Sequence, residues 1–150
     1  MVIKIDTREQ NPLEFDFPYV TAVERTTLKV GDYSVRFEDN YSPPISFERK
    51  AIGDLFGTLG KSHKRFKREL LRAEGLGIKL IIIVEGSLGT VLKGYKHSTL
   101  SGISVVRQLL SLWVRYGVVP VFVESREKMG LYIYEYFSAV GRLKGKKSGK

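Results

Sequence analysis

The sequence predicts an α/β fold in which a mixed central β-sheet is flanked by helices. Two short strand-like segments separated by turn-forming residues near the start predict a β-hairpin. The run Ile78–Val84 is almost entirely apolar, as expected for a central strand that is buried on both faces. Helical and strand patterns alternate after that hairpin, and this alternation places helices against a sheet.

Four strands are predicted in the first third of the chain. Val2–Ile5 is short, apolar and β-branched, and Val20–Lys29 is rich in valine and threonine. Tyr33–Phe37 and Ile45–Glu48 are separated by Glu-Asp-Asn-Tyr-Ser-Pro-Pro, which is composed largely of turn-forming residues. These last two segments are therefore predicted to pair as a hairpin.

The periodicity changes to that of helices after Lys50. Ala51–Leu59 predicts a short helix, and a charged helix follows over Ser62–Glu74, ended by glycines at positions 75 and 77. The segment Gly86–His97 has the composition of a loop.

The last third of the chain predicts two helices around one strand. Thr99–Tyr116 carries an apolar stripe with helical spacing, formed by Ile103, Val106, Leu110, Trp113 and Val114. Val118–Val123 is a strand. A wide apolar face then predicts a final helix through Met129, Tyr132, Ile133, Tyr136, Phe137 and Val140. We expect residues 1–143 to form one domain and residues 144–150 a flexible basic tail.

The composition restricts which metal chemistry is available. The chain has 150 residues, enough for one domain with its own core, and it contains no cysteine. Disulfides and thiolate metal sites are thereby excluded, and only His63 and His97 offer imidazoles. A metal site would have to use carboxylates, which prefer hard cations such as Mg²⁺ or Mn²⁺.

The charge indicates a polyanionic partner. The formal net charge is +9, which fits nucleic acid better than a membrane surface. The N-terminal residues include no apolar run of the length of a signal peptide or a membrane span. We therefore expect an intracellular location, in the cytoplasm or nucleoid, or in a nucleus.

Two carboxylates and one ammonium group converge at one end of the predicted hairpin. Side chains at positions i and i+2 of a strand point the same way, so Glu48 and Lys50 share one face and Arg49 occupies the other. Pairing of the two strands would bring Asp32 next to them. Two carboxylates can hold a divalent cation that polarises a phosphate and activates water, and an ammonium group can stabilise developing charge.

An exposed charged tripeptide is the alternative interpretation of Glu48-Arg49-Lys50, because such tripeptides are common on solvated surfaces. Here the tripeptide continues a strand that should be at least half buried. Crowded charges in such a place require a functional reason. We therefore favour a site for metal-dependent phosphodiester hydrolysis.

Three motifs resemble a known family. Glu-Arg-Lys-Ala-Ile-Gly-Asp at positions 48–54 resembles the ERKxxxD signature of the XPF-type (Hef-like) structure-selective endonucleases, within the restriction-endonuclease-like PD-(D/E)xK superfamily. Gly31-Asp32 is similar to the upstream GD, and Ile-Asp-Thr-Arg-Glu at positions 5–9 is similar to the N-terminal VDxRE-like segment. The resemblance implies that Asp32 and Glu48 bind the metal and that Lys50 is catalytic. It implies supporting site roles for the remaining motif residues, Asp6, Arg8, Glu9, Arg49 and Asp54.

Each supporting residue also has a structural explanation. Asp6 could cap a turn near Asn11, and Asp54 could stabilise the first turn of a helix. Arg8 and Glu9 could pair with other charges, for example Glu9 with Arg49.

A basic helix is predicted to contact the DNA backbone. Like charges spaced three and four residues apart repel, so such a helix is more stable beside phosphates. We assign DNA binding to Lys61, Lys64, Arg65, Lys67 and Arg68. No aromatic residues alternate with these cations in the sequence, so stacking on single strands is not indicated.

The resemblance implies a DNA endonuclease that depends on Mg²⁺ or Mn²⁺ and acts on branched, flapped or forked DNA. Two alternatives remain: a catalytically silent DNA-binding partner subunit, and a junction-resolving or restriction-type nuclease of the same fold. We also predict a two-fold dimer that buries part of Tyr132–Val140, with a targeting protein as a possible further partner.

Overall fold

The computed structural model describes residues 1–148 and contains one mixed six-stranded sheet with helices on both faces, as the sequence predicts. The spatial order of the strands is β2-β1-β3-β4-β5-β6. Their bounds are β1 Val2–Asp6, β2 Ala22–Thr26, β3 Tyr33–Arg36, β4 Ile45–Ala51, β5 Lys79–Glu85 and β6 Val119–Val123. The helices are α1 Ile52–Leu59, α2 His63–Leu76, α3 Leu88–Leu92, α4 Gly102–Tyr116 and α5 Arg126–Ser148.

The predicted hairpin is present as an antiparallel pair of β3 and β4, in register at Tyr33 and Phe47. β1 runs antiparallel to β3, whereas β2, β5 and β6 each run parallel to their inner neighbour. The sheet therefore has an antiparallel centre, and the candidate carboxylates lie on its middle strands.

Two hydrophobic cores lie on opposite faces of the sheet. α5 covers one face with Met129, Ile133 and Phe137, each fully buried. α1, α2 and α4 cover the other face. β5 contributes alternate side chains to both cores, which confirms the prediction of a strand buried on both faces.

The predicted stripe on α4 is not its buried face. Val105 and Leu109 are buried, whereas Leu110 and Trp113 of the predicted stripe are about half exposed and Val114 is 87% exposed. Apolar residues occur on two sides of this helix, and spacing alone does not show which side faces the sheet. The segment predicted as a loop also contains a short helix, α3, whose first turn is capped by the Ser87 hydroxyl accepting from the Thr90 N–H at 3.0 Å.

The last helix continues beyond the predicted end of the domain. α5 runs to Ser148, so the predicted boundary at residue 143 falls inside it, and Lys144 forms an ion pair with Asp39. The last two residues of the predicted tail, 149 and 150, lie outside the described residues. Within the described chain, no helix combines the length and the apolar character needed to cross a bilayer.

Candidate active site

The antiparallel register of the hairpin positions the catalytic candidates. The Asp32 N–H donates to the Phe47 carbonyl at 2.7 Å, so Asp32 continues the ladder opposite Glu48. The Asp32 carboxylate accepts the Arg49 N–H at 2.8 Å, which fixes its orientation. Asp32, Glu48 and Lys50 line one pocket of about 560 Å³ between the sheet and α2.

Gly31 is required for the close approach of the two strands before this pocket. Its φ is +78°, a region that side chains with a Cβ rarely adopt. A Cβ at this position would lie 2.1 Å from the Ser46 hydroxyl oxygen. That hydroxyl is itself held by the carbonyls of Val30 and Tyr33, at 2.8 and 3.1 Å. The glycine of the GD motif thus allows Asp32 to reach its position.

Glu48 and Lys50 form an ion pair deep in the pocket. The Lys50 Nζ lies 3.1 Å from a Glu48 carboxylate oxygen, and both side chains are largely buried. Burial, together with the nearby charges of Asp32 and Glu69, raises the pKa of Glu48 to about 8 despite the ammonium group beside it. Burial also raises the pKa of Asp32 to about 6, against the hydrogen bond from Arg49. The carboxylates of Asp32 and Glu48 are therefore held close to one another and to Glu69, and a divalent cation bound by them would stabilise their charged forms.

Asp6 lies at the edge of the pocket, and its pKa is shifted in the direction opposite to those of Asp32 and Glu48. It is 1% exposed, and its carboxylate accepts the Leu28 N–H at 2.8 Å and the Arg8 guanidinium at 2.8 Å. Burial alone would raise the pKa of Asp6, but these hydrogen bonds outweigh it and lower the pKa. Asp6 fixes the loop before β3 and orients Arg8 into the pocket; the alternative partner, a turn near Asn11, is not bound to it.

Glu9 and Arg49 lie on the other face of the sheet. The Arg49 guanidinium donates to both Glu9 carboxylate oxygens, at 2.7 and 3.0 Å, as the pairing hypothesis predicts. Glu9 also accepts the Tyr33 hydroxyl at 2.7 Å, and that hydroxyl accepts the Leu13 N–H at 2.9 Å. The network holds the strand that carries Glu48 and Lys50, so Arg49 and Glu9 act by positioning.

Asp54 does not join the pocket. It is exposed in the first turn of α1, at the position where a carboxylate stabilises the helix dipole. The supporting site role that the motif resemblance implies for Asp54 stays a prediction, and the structure places this residue outside the pocket lining.

The basic helix forms the wall opposite the carboxylates. Arg65 and Arg68 line the pocket, while Lys61, Lys64 and Lys67 are exposed elsewhere on or just before α2. None of these five predicted DNA-binding residues forms an ion pair within residues 1–148. Their charges remain available to phosphates.

Glu69 is the site residue that sequence reasoning missed. It lines the pocket from α2, and its carboxylate accepts the Gly31 N–H at 3.3 Å. Its spacing of four residues from Arg65 on a helix places both on one face, and this signal was present in the sequence. Glu69 adds a third negative charge near the two metal-ligand candidates.

The donor set fits Mg²⁺ or Mn²⁺ bound partly by the substrate. Within residues 1–148, no three His, Asp or Glu side chains are arranged to enclose a metal ion. Mg²⁺ usually takes only one or two protein carboxylates and completes its shell with water and substrate phosphate oxygens. Asp32 and Glu48 match that requirement.

Comparisons with known proteins agree with this architecture. The model of the ERCC4 domain family matches residues 5–136. The structure of XPF from Aeropyrum pernix superposes with a TM-score of 0.64 and 23% identity, covering 89% of this chain and 61% of that one. The structure of XPF from Aeropyrum pernix in complex with DNA gives a TM-score of 0.67 and 21% identity, covering 97% of this chain and 66% of that one.

These structural likenesses show the fold, which is restriction-endonuclease-like as predicted. The chain spans less than two thirds of the length of the two solved structures. A search of curated proteins found no match.

Proposed function

The chain belongs to the ERCC4 domain family, and from that premise we propose that it is a DNA endonuclease that depends on Mg²⁺ or Mn²⁺. The observation that carries the proposal is the single pocket that joins Asp32, Glu48 and Lys50 to the cations of α2. Branched, flapped or forked DNA is the proposed substrate class, because the GD and ERKxxxD motifs resemble those of structure-selective endonucleases. Binding to DNA is supported by a solved structure of the same fold that is a complex with DNA. An intracellular location, as part of DNA repair or recombination, belongs to the same proposal.

Each residue of the pocket has a distinct role in this proposal. Asp32 and Glu48 would bind the metal ion, which supplies charge stabilisation at the phosphate and lowers the pKa of water. Lys50, held 3.1 Å from Glu48, would hold a phosphate oxygen or orient the attacking water. Arg65 and Arg68 would hold the flanking DNA phosphates against the pocket.

A catalytically silent partner subunit is the alternative within the same family. A silent subunit has no need to keep Asp32, Glu48 and Lys50 together in one buried pocket. Burying two carboxylates and an ammonium group lowers stability unless the arrangement has a use. The preserved pocket therefore favours the active enzyme.

Cleavage of a panel of branched and linear DNAs, with Mg²⁺ and with EDTA, tests the proposal. We expect cleavage that EDTA abolishes, and a loss of at least about a hundredfold in rate for Asp32→Asn and for Glu48→Gln. Both variants should bind DNA nearly as the parent does, and Asp54→Asn should cut at nearly the parental rate. Undiminished Mg²⁺-dependent cleavage by Asp32→Asn and Glu48→Gln would remove these residues from the reaction.

We also propose a two-fold dimer and assign its interface mainly to α4. On α5, the helix predicted to form the interface, Phe137 is fully buried in the core, and Tyr132 is the exposed residue among the apolar ones of Tyr132–Val140. The exposed flank of α4 carries Ile103, Leu110, Trp113 and Val114, and Arg107 is the charged side chain beside them. In a molecule of net charge +9, a mainly apolar surface can oppose its own copy with less repulsion than the basic surface of α2.

A further inference from the structure

A second concave site lies on the side of α2 that faces away from the carboxylates. It is a groove of about 350 Å³ between α2 and α4, within the usual size range of small-molecule sites. Its apolar lining includes Phe66 and Leu70 from α2 and Tyr116 from the end of α4. Phe66 and Leu70 are almost fully buried, so the floor offers apolar surface mainly through the partly buried Leu112 and Tyr116.

The rim of the groove is positively charged. Lys67 lies on the α2 side, and Arg107 and Arg115 lie on the α4 side. No carboxylate lines the groove, and neither arginine forms an ion pair within the described chain. The Arg115 guanidinium lies 5.8 Å from the centre of the Tyr116 ring, so a cation and an aromatic face are combined at one end. This chemistry suits a ligand that is anionic along one edge and flat and apolar elsewhere.

The groove adjoins the candidate active site through one side chain. Phe66 lines both cavities, and the Lys50 Nζ lies 6.0 Å from the centre of its ring. A strand whose phosphate lies at Lys50 would therefore reach the groove by passing the N-terminal half of α2. That half carries exposed cations toward both cavities, with Arg65 on one side and Lys67 on the other.

We propose that this groove binds one unpaired nucleotide of the DNA strand, next to the phosphodiester that the active site would cleave. Its base would pack on the apolar floor at Tyr116, and its phosphates would bind Arg107, Arg115 and Lys67. A paired base is stacked inside the duplex and cannot enter a groove, so the site selects DNA with a single-stranded segment. The inference rests on the proposed nuclease function and adds a specificity determinant to it.

The sequence argues against stacking because aromatics do not alternate with the basic residues of α2. The fold changes that conclusion, since Tyr116 reaches the basic surface from a different helix. An acidic peptide would also match the charge of the rim. The nucleotide is favoured because the groove continues the surface of α2 that faces the DNA phosphates.

Binding of fluorescent DNA to the full chain in Ca²⁺ tests the proposal without any need for cleavage. The probes are a blunt duplex and the same duplex with a three-nucleotide single-stranded overhang, in both polarities. We expect the preference for one overhang over the blunt duplex to fall about tenfold in the double variant Arg107→Glu/Arg115→Glu. Lys79→Glu reverses a charge at the start of β5, away from both cavities, and should leave that preference unchanged.

A fluorescent base analogue, 2-aminopurine, placed at each overhang position tests the stacking interaction. We expect its fluorescence to be quenched at one position in the parent and in Tyr116→Phe, but not in Tyr116→Leu, which keeps an apolar side chain at the partly buried position. Thermal melting of each variant shows whether it is folded.

The outcomes separate this inference from the nuclease proposal. An unchanged preference for the overhang in the arginine variant, or quenching that survives in Tyr116→Leu, would overturn the nucleotide site. An acidic peptide would then be the favoured ligand of the groove. Neither result affects cleavage at Asp32 and Glu48. A chain that binds no DNA of any form would overturn both.

Discussion

Single residues determine the electrostatic state of the pocket. Asp6, at the end of β1, is buried and Asp32, just before the neighbouring strand β3, is partly buried, yet the pKa of Asp6 is lowered and that of Asp32 is raised. The difference follows from their partners, because Asp6 accepts hydrogen bonds from Arg8 and Leu28. Asp32 accepts one backbone N–H and lies near the charges of Glu9 and Glu69. Asp6 is thus a structural anion, whereas Asp32 is available to a cation.

Metal affinity should increase with pH. Without metal, Glu48 and Asp32 hold protons up to their raised pKa values of about 8 and about 6, and each proton must leave before the carboxylate binds a cation. We expect the Mn²⁺ affinity, measured by calorimetry in the absence of DNA, to increase at least about tenfold from pH 6 to pH 8.

Proton release should accompany that binding, and it can be measured in buffers of different ionisation enthalpy. The control variant Glu48→Gln removes the group with the higher pKa and should show weaker affinity with a flatter pH dependence. An affinity independent of pH in the parent would contradict the assignment of these carboxylates as ligands.

Gly31 should tolerate a side chain poorly, because it combines a positive φ with close contacts to Ser46. Gly31→Ala adds both the strain of a positive φ and an overlap with Ser46, and should lower the free energy of unfolding by at least about 2 kcal/mol. Gly94→Ala is the matched control, since its φ is +86° but no atom lies within 4 Å of the added Cβ. Denaturant unfolding of both variants separates strain from overlap, and equal reductions in stability would show that the overlap with Ser46 relaxes freely.

At the scale of elements, α2 supplies cations to the site, and the hairpin of β3 and β4 positions its carboxylates. The exposed cations of α2 have no ion-pair partners within the described residues, whereas Lys50 and Arg49 on β4 are paired with carboxylates. The helix is therefore expected to contribute to binding any DNA sequence, because interactions with phosphates do not depend on the bases.

Salt dependence measures this contribution of α2. Replacing Lys64, Arg65 and Lys67 by alanine should weaken binding to all duplexes about equally. The slope of log K against log salt should flatten by up to about 0.9 for each phosphate that the altered helix no longer neutralises. Lys79→Ala, on β5, should leave the slope unchanged. A parental slope in the triple variant would place α2 away from the DNA.

The sequence predicted elements with strong periodicity or turn chemistry, and it predicted less well which face of a helix is buried. The hairpin followed from the turn formers between β3 and β4, and the two-faced burial of β5 followed from its unbroken apolar run. On α4, apolar residues on two flanks gave equally valid stripes, and only tertiary packing distinguishes Leu109 from Leu110. Among site residues, Asp32, Glu48 and Lys50 could be predicted from the spacing of the motifs. The spacing of Glu69 from Arg65 places the two on one face of α2, but the approach of Glu69 to Gly31 depends on how α2 crosses the sheet, which the sequence does not show.

At the scale of the whole molecule, the sheet separates two surfaces with different uses. α1, α2 and α4 lie on the face that carries the pocket, whereas α5 closes the opposite face. α4 lies on the same face as the pocket but contributes no residue to its lining, so a second copy bound at the exposed apolar flank of α4 would leave the pocket open.

The dimer proposal is tested by comparing a charge introduced on α4 with charges introduced on α5. Trp113→Glu changes a residue that is 49% exposed on α4, and we expect it to give folded monomers by light scattering. Tyr132→Glu, 41% exposed on α5, should remain dimeric, whereas Phe137→Glu introduces a charge into the core and should unfold the chain. A parent protein that is monomeric at high micromolar concentration would rule out the dimer, and a monomer produced only by Tyr132→Glu would return the interface to α5.

The separation of the carboxylates on the hairpin from the cations on α2 also has an evolutionary consequence. The carboxylates lie on β4 and just before β3, whereas the cations without an ion-pair partner in the described chain lie on α2, so the residues proposed to cut and those proposed to bind are encoded in separate stretches of the gene. After a gene duplication, one substitution at Glu48 could end catalysis in one copy while purifying selection continued to preserve its basic helix. The copy so altered would persist as a DNA-binding companion to the intact one, which makes the route from enzyme to silent subunit a short one.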